Sequence, residues 1–299
     1  MNSASPPAPA AAAPVSLLER TLNDLDKEIS FSAEVLAPTH TVVTVDGLDD
    51  PGVPTALGRY LVGALAGAVD YDTRLCEALL AHGVDRQAEI TRTVISIIGN
   101  TNNFDTPPAE QFRDTRRNAW IGEGVGHALL MLAARHESSF VKGRVCALSE
   151  VHPDPTRQGL DSVSIYVNTG VLAVAIGESK ATCSRGSEEL TEAAGIFAAI
   201  DDGVYGPDLR SRLAMFRGFL PDELAAQVSD KLWSDSSCYL PMIVHHDPFD
   251  PMARRPKLAQ LKPPIERRRV ILVQLKDFYA FFDGVADAMR TAIPEMVVA

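Results

Sequence analysis

Two acids and one lysine lie around a predicted β-hairpin in the middle of the sequence. Residues 171–176 are apolar, rich in β-branched side chains, bounded by glycines and too short for a helix, so they predict a buried strand. Glu178 and Lys180 follow this run, and positions i and i+2 of a strand point to the same face. Charges at the end of a buried strand are costly unless they pair or bind something, so we treat this position as a candidate site.

A third charged residue, Asp161, precedes the neighbouring predicted strand, residues 162–167. The Asn-Thr-Gly turn at 168–170 predicts that the two strands form an antiparallel hairpin, which would bring Asp161 beside Glu178. Two adjacent carboxylates repel each other, and a divalent cation removes the conflict by binding both. Mg²⁺ prefers oxygen ligands and typically uses one or two carboxylates with water and a phosphate. Lys180 would then orient the attacking water or stabilise the phosphate charge.

These residues resemble the signature of a known superfamily. Asp161 followed by Glu-Ser-Lys at 178–180 resembles the D…(D/E)-x-K motif of the PD-(D/E)xK nucleases. An upstream helix with a glutamate is common in that superfamily, and Glu123 in IGEGVGHALL resembles it. The resemblance implies an α/β fold with a mixed sheet flanked by helices and a restriction-endonuclease-like αβββαβ core over residues 118–244. It also implies Mg²⁺ or Mn²⁺ at Asp161 and Glu178, with help from Glu123.

A narrower resemblance concerns the stretches GLDSVSIYV and LAVAIGESKA with their flanking helices. They are similar to the HamA family, the nuclease subunits of the Hachiman antiphage system, which work with a helicase. This resemblance implies hydrolysis of DNA phosphodiesters in antiphage defence, controlled by a HamB-like helicase partner. From this resemblance we expect neither association with a membrane nor binding of a small-molecule ligand.

The predicted elements define three regions of the chain. Residues 1–16 are an Ala/Pro-rich tail that we expect to be disordered, 17–110 an N-terminal α+β extension, and 111–299 the nuclease-like core with a C-terminal strand and helix. Helices are predicted at 17–27, 54–82 with an interruption near Asp70, 89–98, 118–137, 187–199, 209–216, 222–233 and 278–292. Strands are predicted at 29–35, 41–45, 144–151, 162–167, 171–177, 239–245 and 269–275.

Several alternatives remain open for individual residues. The literal Pro-Asp pair is at 153–154, so Asp154 could replace Asp161 as a ligand; we favour Asp161 because it begins a strand. Glu178 and Lys180 could form only a strand-end ion pair. Glu123 could be an ordinary acid in the first turns of a helix.

Two other functions compete with the nuclease. Residues 177–181, Gly-Glu-Ser-Lys-Ala, approximate the nucleophile elbow of an α/β-hydrolase, with Ser179 as nucleophile and Asp201 and His246 following in the chain order of a triad. The elbow lacks its second glycine, and this interpretation leaves Asp161 unused. The other alternative is a catalytically inactive nuclease fold that serves as a binding subunit.

Composition limits the partners and the compartment. The 28 basic and 39 acidic side chains give a formal charge of −11, which excludes DNA binding by broad charge neutralisation. A nucleic-acid contact must therefore be local or supplied by a partner. Two arginine clusters, at 113–117 and 267–269, could contact phosphates. Four cysteines without a metal spacing, and no signal or membrane segment, lead us to expect a cytoplasmic protein.

Overall fold

The computed structural model describes residues 17–80, 85–136, 139–154 and 159–297. Its strands, numbered along the chain, are β1 (Ser30–Phe31), β2 (Val35–Leu36), β3 (Thr41–Asp46), β4 (Arg144–Leu148), β5 (Ser162–Asn168), β6 (Val171–Thr182), β7 (Ser237–His245) and β8 (Arg269–Gln274). Within the described ranges they form one sheet in the order β1-β3-β8-β7-β6-β5-β4, with β2 also paired to β3. β3, β8, β7 and β6 are parallel, whereas β6, β5 and β4 are antiparallel. The sheet is therefore mixed, as predicted.

Helices cover both faces of this sheet. They are α1 (Leu17–Glu28), α2 (Val53–Leu80), α3 (Arg86–Ile98), α4 (Pro107–Phe112), α5 (Asn118–Arg135), α6 (Gly186–Asp201), α7 (Gly206–Arg217), α8 (Asp222–Ala225), α9 (Leu232–Asp235), α10 (Pro256–Ala259) and α11 (Phe278–Ala292). A π-helical turn, Arg113–Arg117, joins α4 to α5. α1, α2, α3, α5 and α11 pack on one face, and α6, α7 and α10 on the other. None of the helices in the described ranges has the length and apolar character needed to cross a membrane.

The central strand β6 is buried on both faces, which explains its continuous apolar sequence. Leu172, Val174 and Ile176 pack towards α6 and α7, while Ala173 and Ala175 pack towards the α5 side. Small residues on the second side allow α5 to approach the sheet closely. The N-terminal region takes part in the same core, because β3 pairs with β8 and α2 packs against α11.

Most predicted elements are present, and four differ. β6 continues to Thr182 rather than ending at residue 177, so the candidate site lies within a strand. α2 has no interruption near Asp70. The helix predicted at 222–233 is instead α8 and α9, separated by a stretch containing Ser229 and Asp230, residue types that favour turns. The predicted first strand is divided into β1 and β2, and the predicted tail at 1–16 lies outside the described residues.

The glycines at the start of α5 are required by close packing. A Cβ atom on Gly122 would lie 2.9 Å from the Cβ of Ala181 in β6, and one on Gly126 would lie 2.6 Å from Ser179 Oγ. Both distances are too short for ordinary contacts. The element that this helix backbone approaches closely is therefore β6, the strand that carries the candidate site.

We expect Gly122→Ala to lower the free energy of unfolding, measured by urea denaturation. This is expected even though Ala is more favourable than Gly in a helix by about 1 kcal/mol. Overpacking against Ala181 should cost roughly 1–3 kcal/mol. Gly195→Ala in α6 is the matched control, because a Cβ there has no neighbour within 4 Å, and it should stabilise the protein. Equal stabilisation by both substitutions would contradict the close packing of α5 on β6.

Candidate active site

The hairpin places Asp161 and Glu178 opposite each other. In the antiparallel register of β5 and β6, Ser162 pairs with Gly177, so the next positions outward are Asp161 and Glu178. β5 begins at this point, whereas β6 continues to Thr182 with only β7 as a partner. One edge of β6 is therefore open, and the Asp161 carboxylate lies there, with its Oδ2 accepting a hydrogen bond from the backbone N of Ser179 at 2.7 Å.

Glu178 and Lys180 form a close ion pair next to this edge. Lys180 Nζ lies 2.9 Å from Glu178 Oε1, and the two side chains are 28% and 7% exposed, respectively. The i, i+2 spacing in a strand accounts for this contact, as predicted. The ion pair is therefore present, and whether it also acts in catalysis depends on what surrounds it.

A cavity of about 390 Å³ opens beside the edge of β6. α5, β6, α6, α11 and the π-helical turn contribute to its walls, and Glu123 in α5 and Asp161 are both exposed to it. Its lining residues are Asp114, Thr115, Asn118, Ala119, Glu123, Asp161, Ser179, Lys180, Ala181, Thr182, Cys183, Arg185, Glu189, Phe278 and Tyr279. Glu178 is buried beside the cavity, held by Lys180. Asp154 is not among the described residues that line it, which favours Asp161 over Asp154.

The carboxyl groups at this site disfavour one another's ionisation. Burial, followed by repulsion from Glu178, raises the pKa of Glu123 to about 7. Burial and repulsion from Glu178 and Glu123 raise the pKa of Asp161 well above its usual value. Burial also raises the pKa of Glu178, although Lys180 opposes the effect. Three carboxyls, of which Glu178 is buried and Asp161 and Glu123 are half-buried, thus lie near the half-buried Lys180 ammonium, and the negative charge is incompletely balanced.

The lysine of the cluster remains protonated. Burial lowers the pKa of Lys180, but attraction by Glu178 and Asp161 outweighs burial and leaves the pKa above its ordinary value. The ammonium is therefore suited to stabilising negative charge in the cavity. It is poorly suited to accepting a proton at neutral pH.

A divalent cation fits this set of donors in part. All the candidate ligands are oxygens, which suits Mg²⁺ or Mn²⁺. In the described part of the chain, no three His, Cys, Asp or Glu side chains are grouped so that they could hold a metal ion together. The predicted three-carboxylate set of Asp161, Glu178 and Glu123 is therefore not a ready-made ligand group. A Mg²⁺ site with one or two carboxylates fits better, and the unbalanced charge of Asp161 and Glu178 favours such a cation.

The structure does not assemble the predicted Ser179 triad. Ser179 Oγ is buried without a hydrogen-bond partner in the described structure. Asp201 accepts from Tyr239 Oη at 2.6 Å, and His246 Nδ1 pairs with the carbonyl of Leu275. Neither Asp201 nor His246 bonds to this hydroxyl, so the geometry does not favour the hydrolase alternative.

Three members of the two arginine clusters make contacts within the fold. Arg117 is fully buried and pairs with Asp283 at 2.6 Å, and Arg269 is fully buried and pairs with Glu34 at 2.6 Å. Arg268 donates to several backbone carbonyls. The prediction that the clusters contact phosphates is therefore not supported for these three residues.

Sequence reasoning missed part of the cavity wall. Tyr279 is 39% exposed and lies under the Arg113 guanidinium, whose carbon is 4.3 Å from the ring centroid. Asn118 and Glu189 also line the cavity. Asn118, Glu189 and Tyr279 lie at or near the starts of α5, α6 and α11, which the sequence predicted as helices. No local sequence pattern indicated that the starts of these three helices meet at one cavity.

No family model matches this sequence, and a search of curated proteins found no match.

The raised pKa of Glu123 predicts a pH dependence of stability in metal-free protein. A carboxyl whose folded pKa of about 7 exceeds its ordinary value of 4.5 binds more protons in the folded state between those pH values. Its contribution to the free energy of unfolding therefore falls as pH rises through that window and is constant above it. The free energy of unfolding of Glu123→Gln, relative to that of wild type, should therefore rise by roughly 1–3 kcal/mol between pH 5 and pH 8. Urea denaturation in the presence of a chelator measures this difference.

The exposed acid Glu223 provides the control for this measurement. Glu223→Gln removes the same chemical group from a solvent-facing position on α8. If the free energy of unfolding of Glu123→Gln changes with pH as that of Glu223→Gln does, the pKa of Glu123 is not raised by its surroundings.

Proposed function

We propose that this protein is a metal-dependent deoxyribonuclease of the PD-(D/E)xK type. The observation that carries the proposal is the β5–β6 register, which puts Asp161 opposite Glu178, with Lys180 on the same strand and Glu123 facing the same cavity. Chemically, this combination offers oxygen ligands for a cation and a protonated amine beside them. If Glu178 and Lys180 formed only a structural ion pair, a cavity with further carboxyls beside them would not be needed.

The order of elements supports the restriction-endonuclease-like core. In the described ranges α5, β4, β5, β6, α6 and β7 follow one another in the order αβββαβ, with α7, α8 and α9 inserted before β7. β7 lies parallel to β6 on the side away from β5. This arrangement covers residues 118–245 and contains all four proposed catalytic residues.

Each residue has a role that its surroundings favour. Asp161 and Glu178 would hold Mg²⁺ or Mn²⁺, which supplies Lewis-acid polarisation and a more acidic water. Lys180 stabilises the negative charge that develops on the phosphate, since its ammonium stays protonated. Glu123, with a pKa raised to about 7, is suited to accept a proton from the attacking water near neutral pH.

The proposed biological role is antiphage defence with a helicase partner, as the HamA resemblance implies. The support from this chain is electrostatic. Its formal charge is −11, the cavity is rich in carboxylates, and the buried Arg117 and Arg269 and the half-buried Arg268 are occupied within the fold. A protein of this kind binds free DNA weakly, so a partner that delivers the strand is needed.

Lys180→Ala, Glu178→Gln and Asp161→Asn should each reduce Mg²⁺-dependent cleavage of a labelled oligonucleotide by about 100-fold or more. The matched control is Asp154→Asn, which changes the other candidate aspartate and should cleave like wild type. Circular dichroism establishes that each variant is folded. Cleavage that survives a chelator, or that survives both Lys180→Ala and Glu178→Gln, would refute the proposal.

Absence of cleavage by wild type with any metal or nucleotide, alone or with its partner, would instead indicate a binding subunit.

The isolated chain should bind DNA weakly and with strong salt dependence, with a dissociation constant in the range of about 10⁻⁴–10⁻⁶ M near physiological salt. Fluorescence anisotropy with labelled oligonucleotides at several salt concentrations measures this. Tight binding that resists salt would contradict the need for a loading partner.

A further inference from the structure

One wall of the cavity contains an uncommon element of secondary structure. The π-helical turn Arg113–Arg117 leads directly into α5, and Asn118 is the first residue of that helix. Isolated π-helical turns are rare and often occur at functional sites. Here the turn brings Asn118 into the lining of the cavity, on the helix that also supplies Glu123.

Asn118 has a buried donor without a partner. The side chain is 1% exposed, and its Oδ1 accepts a hydrogen bond from Arg117 Nε at 3.0 Å. Its Nδ2 has no hydrogen-bond partner among the described residues. A buried donor left unpaired destabilises the protein, so its retention at a cavity requires an explanation.

Arg117 fixes the orientation of the Asn118 amide. A guanidinium Nε–H can only donate, so the oxygen of the amide must face it and the NH₂ group must point the other way. Arg117 is itself held by Asp283 at 2.6 Å and Asn102 at 3.1 Å, and its guanidinium carbon lies 4.6 Å from the centroid of the Phe104 ring. The amide is therefore unable to turn its oxygen away without breaking a buried hydrogen bond.

This orientation determines which ligand Asn118 can bind. The oxygen already faces the Arg117 guanidinium, which disfavours a second cation beside it, and the NH₂ group requires an acceptor. The carboxylates of Glu123 and Asp161 also line the cavity, but neither accepts a hydrogen bond from Asn118 Nδ2. The acceptor that the proposed nuclease would bring into the cavity is the phosphodiester backbone.

We propose that Asn118 is a substrate-binding residue whose Nδ2 donates a hydrogen bond to a phosphate oxygen of the bound strand, and that Arg117 is the residue that positions it. The inference rests on the proposed nuclease function and adds a contact to the strand on the side of the cavity formed by the π-helical turn. A neutral donor suits this place, because it binds the phosphate without pairing with the neighbouring carboxylates.

The test uses two substitutions of Asn118 that separate its two hydrogen bonds. Asn118→Ala removes both. Asn118→Asp keeps an oxygen for Arg117 and replaces the donor with an acceptor, so a residue that only supports Arg117 would tolerate it. Asn103→Asp, which makes the same change at a position that does not line the cavity, controls for the added charge. Mg²⁺ should raise the thermal unfolding temperature of both Asn118 variants as much as it raises that of wild type.

Two readouts are needed on the full chain, the KM and kcat of oligonucleotide cleavage in Mg²⁺ and the dissociation constant of the same labelled oligonucleotide in chelator at low salt. The loss of one hydrogen bond to a charged phosphate should raise KM and the dissociation constant by about tenfold to a hundredfold in both Asn118 variants, with a smaller change in kcat. Asn103→Asp should leave both values unchanged.

The possible results separate this inference from the proposed function. If wild type cleaves and both Asn118 variants match its KM, Asn118 only supports Arg117 or holds a water molecule, and the inference is wrong while the nuclease stands. If the variants bind less tightly but no protein cleaves, Asn118 is confirmed as a strand contact and the nuclease proposal fails. If wild type neither binds nor cleaves, both are refuted.

Discussion

The open edge of β6 is the constraint on which the candidate site depends. β5 begins opposite Gly177, while β6 continues for five more residues with a strand on only one side. Backbone groups on the open side need other partners, and the Asp161 carboxylate provides one for Ser179. The same edge places buried carboxyls in a cavity with a single ammonium. A simple difference in strand length thus creates both the opening and the charge conflict.

The rest of the fold offsets the free-energy cost of these neighbouring carboxyls. β6 lies between two apolar layers, with α5 on one face and α6 on the other, and both layers extend over most of the sheet. Burial of apolar surface at about 25 cal/mol per Å² offsets the cost of a few charged groups. A chain selected only for stability would have no reason to keep Asp161 and Glu123 near Glu178. Their retention is the physical argument that the position serves a function.

Arginines carry much of the long-range organisation around the site. Arg117 joins the start of α5 to Asp283 in α11, and Arg269 joins β8 to Glu34 between β1 and β2. Both are fully buried and ion-paired, and each donates further hydrogen bonds, although Arg117 Nη2 has no hydrogen-bond partner among the described residues. The contacts of Arg117 fix α5 relative to α11, and therefore fix the two helices that supply Glu123 and Tyr279 to the cavity.

The sequence alone determined the hairpin and three of the charged residues at the site. Alternation of side chains, a tight Asn-Thr-Gly turn and a fully apolar strand are local signals, and they fix the β5–β6 register from which the positions of Asp161, Glu178 and Lys180 follow. The tertiary structure decided how far β6 extends beyond β5, which helix starts meet at the cavity, and that Arg117 is buried. The partners of Arg117 are 15 and 166 residues away in the chain. No local pattern encodes such contacts, because they form only when separate elements pack together.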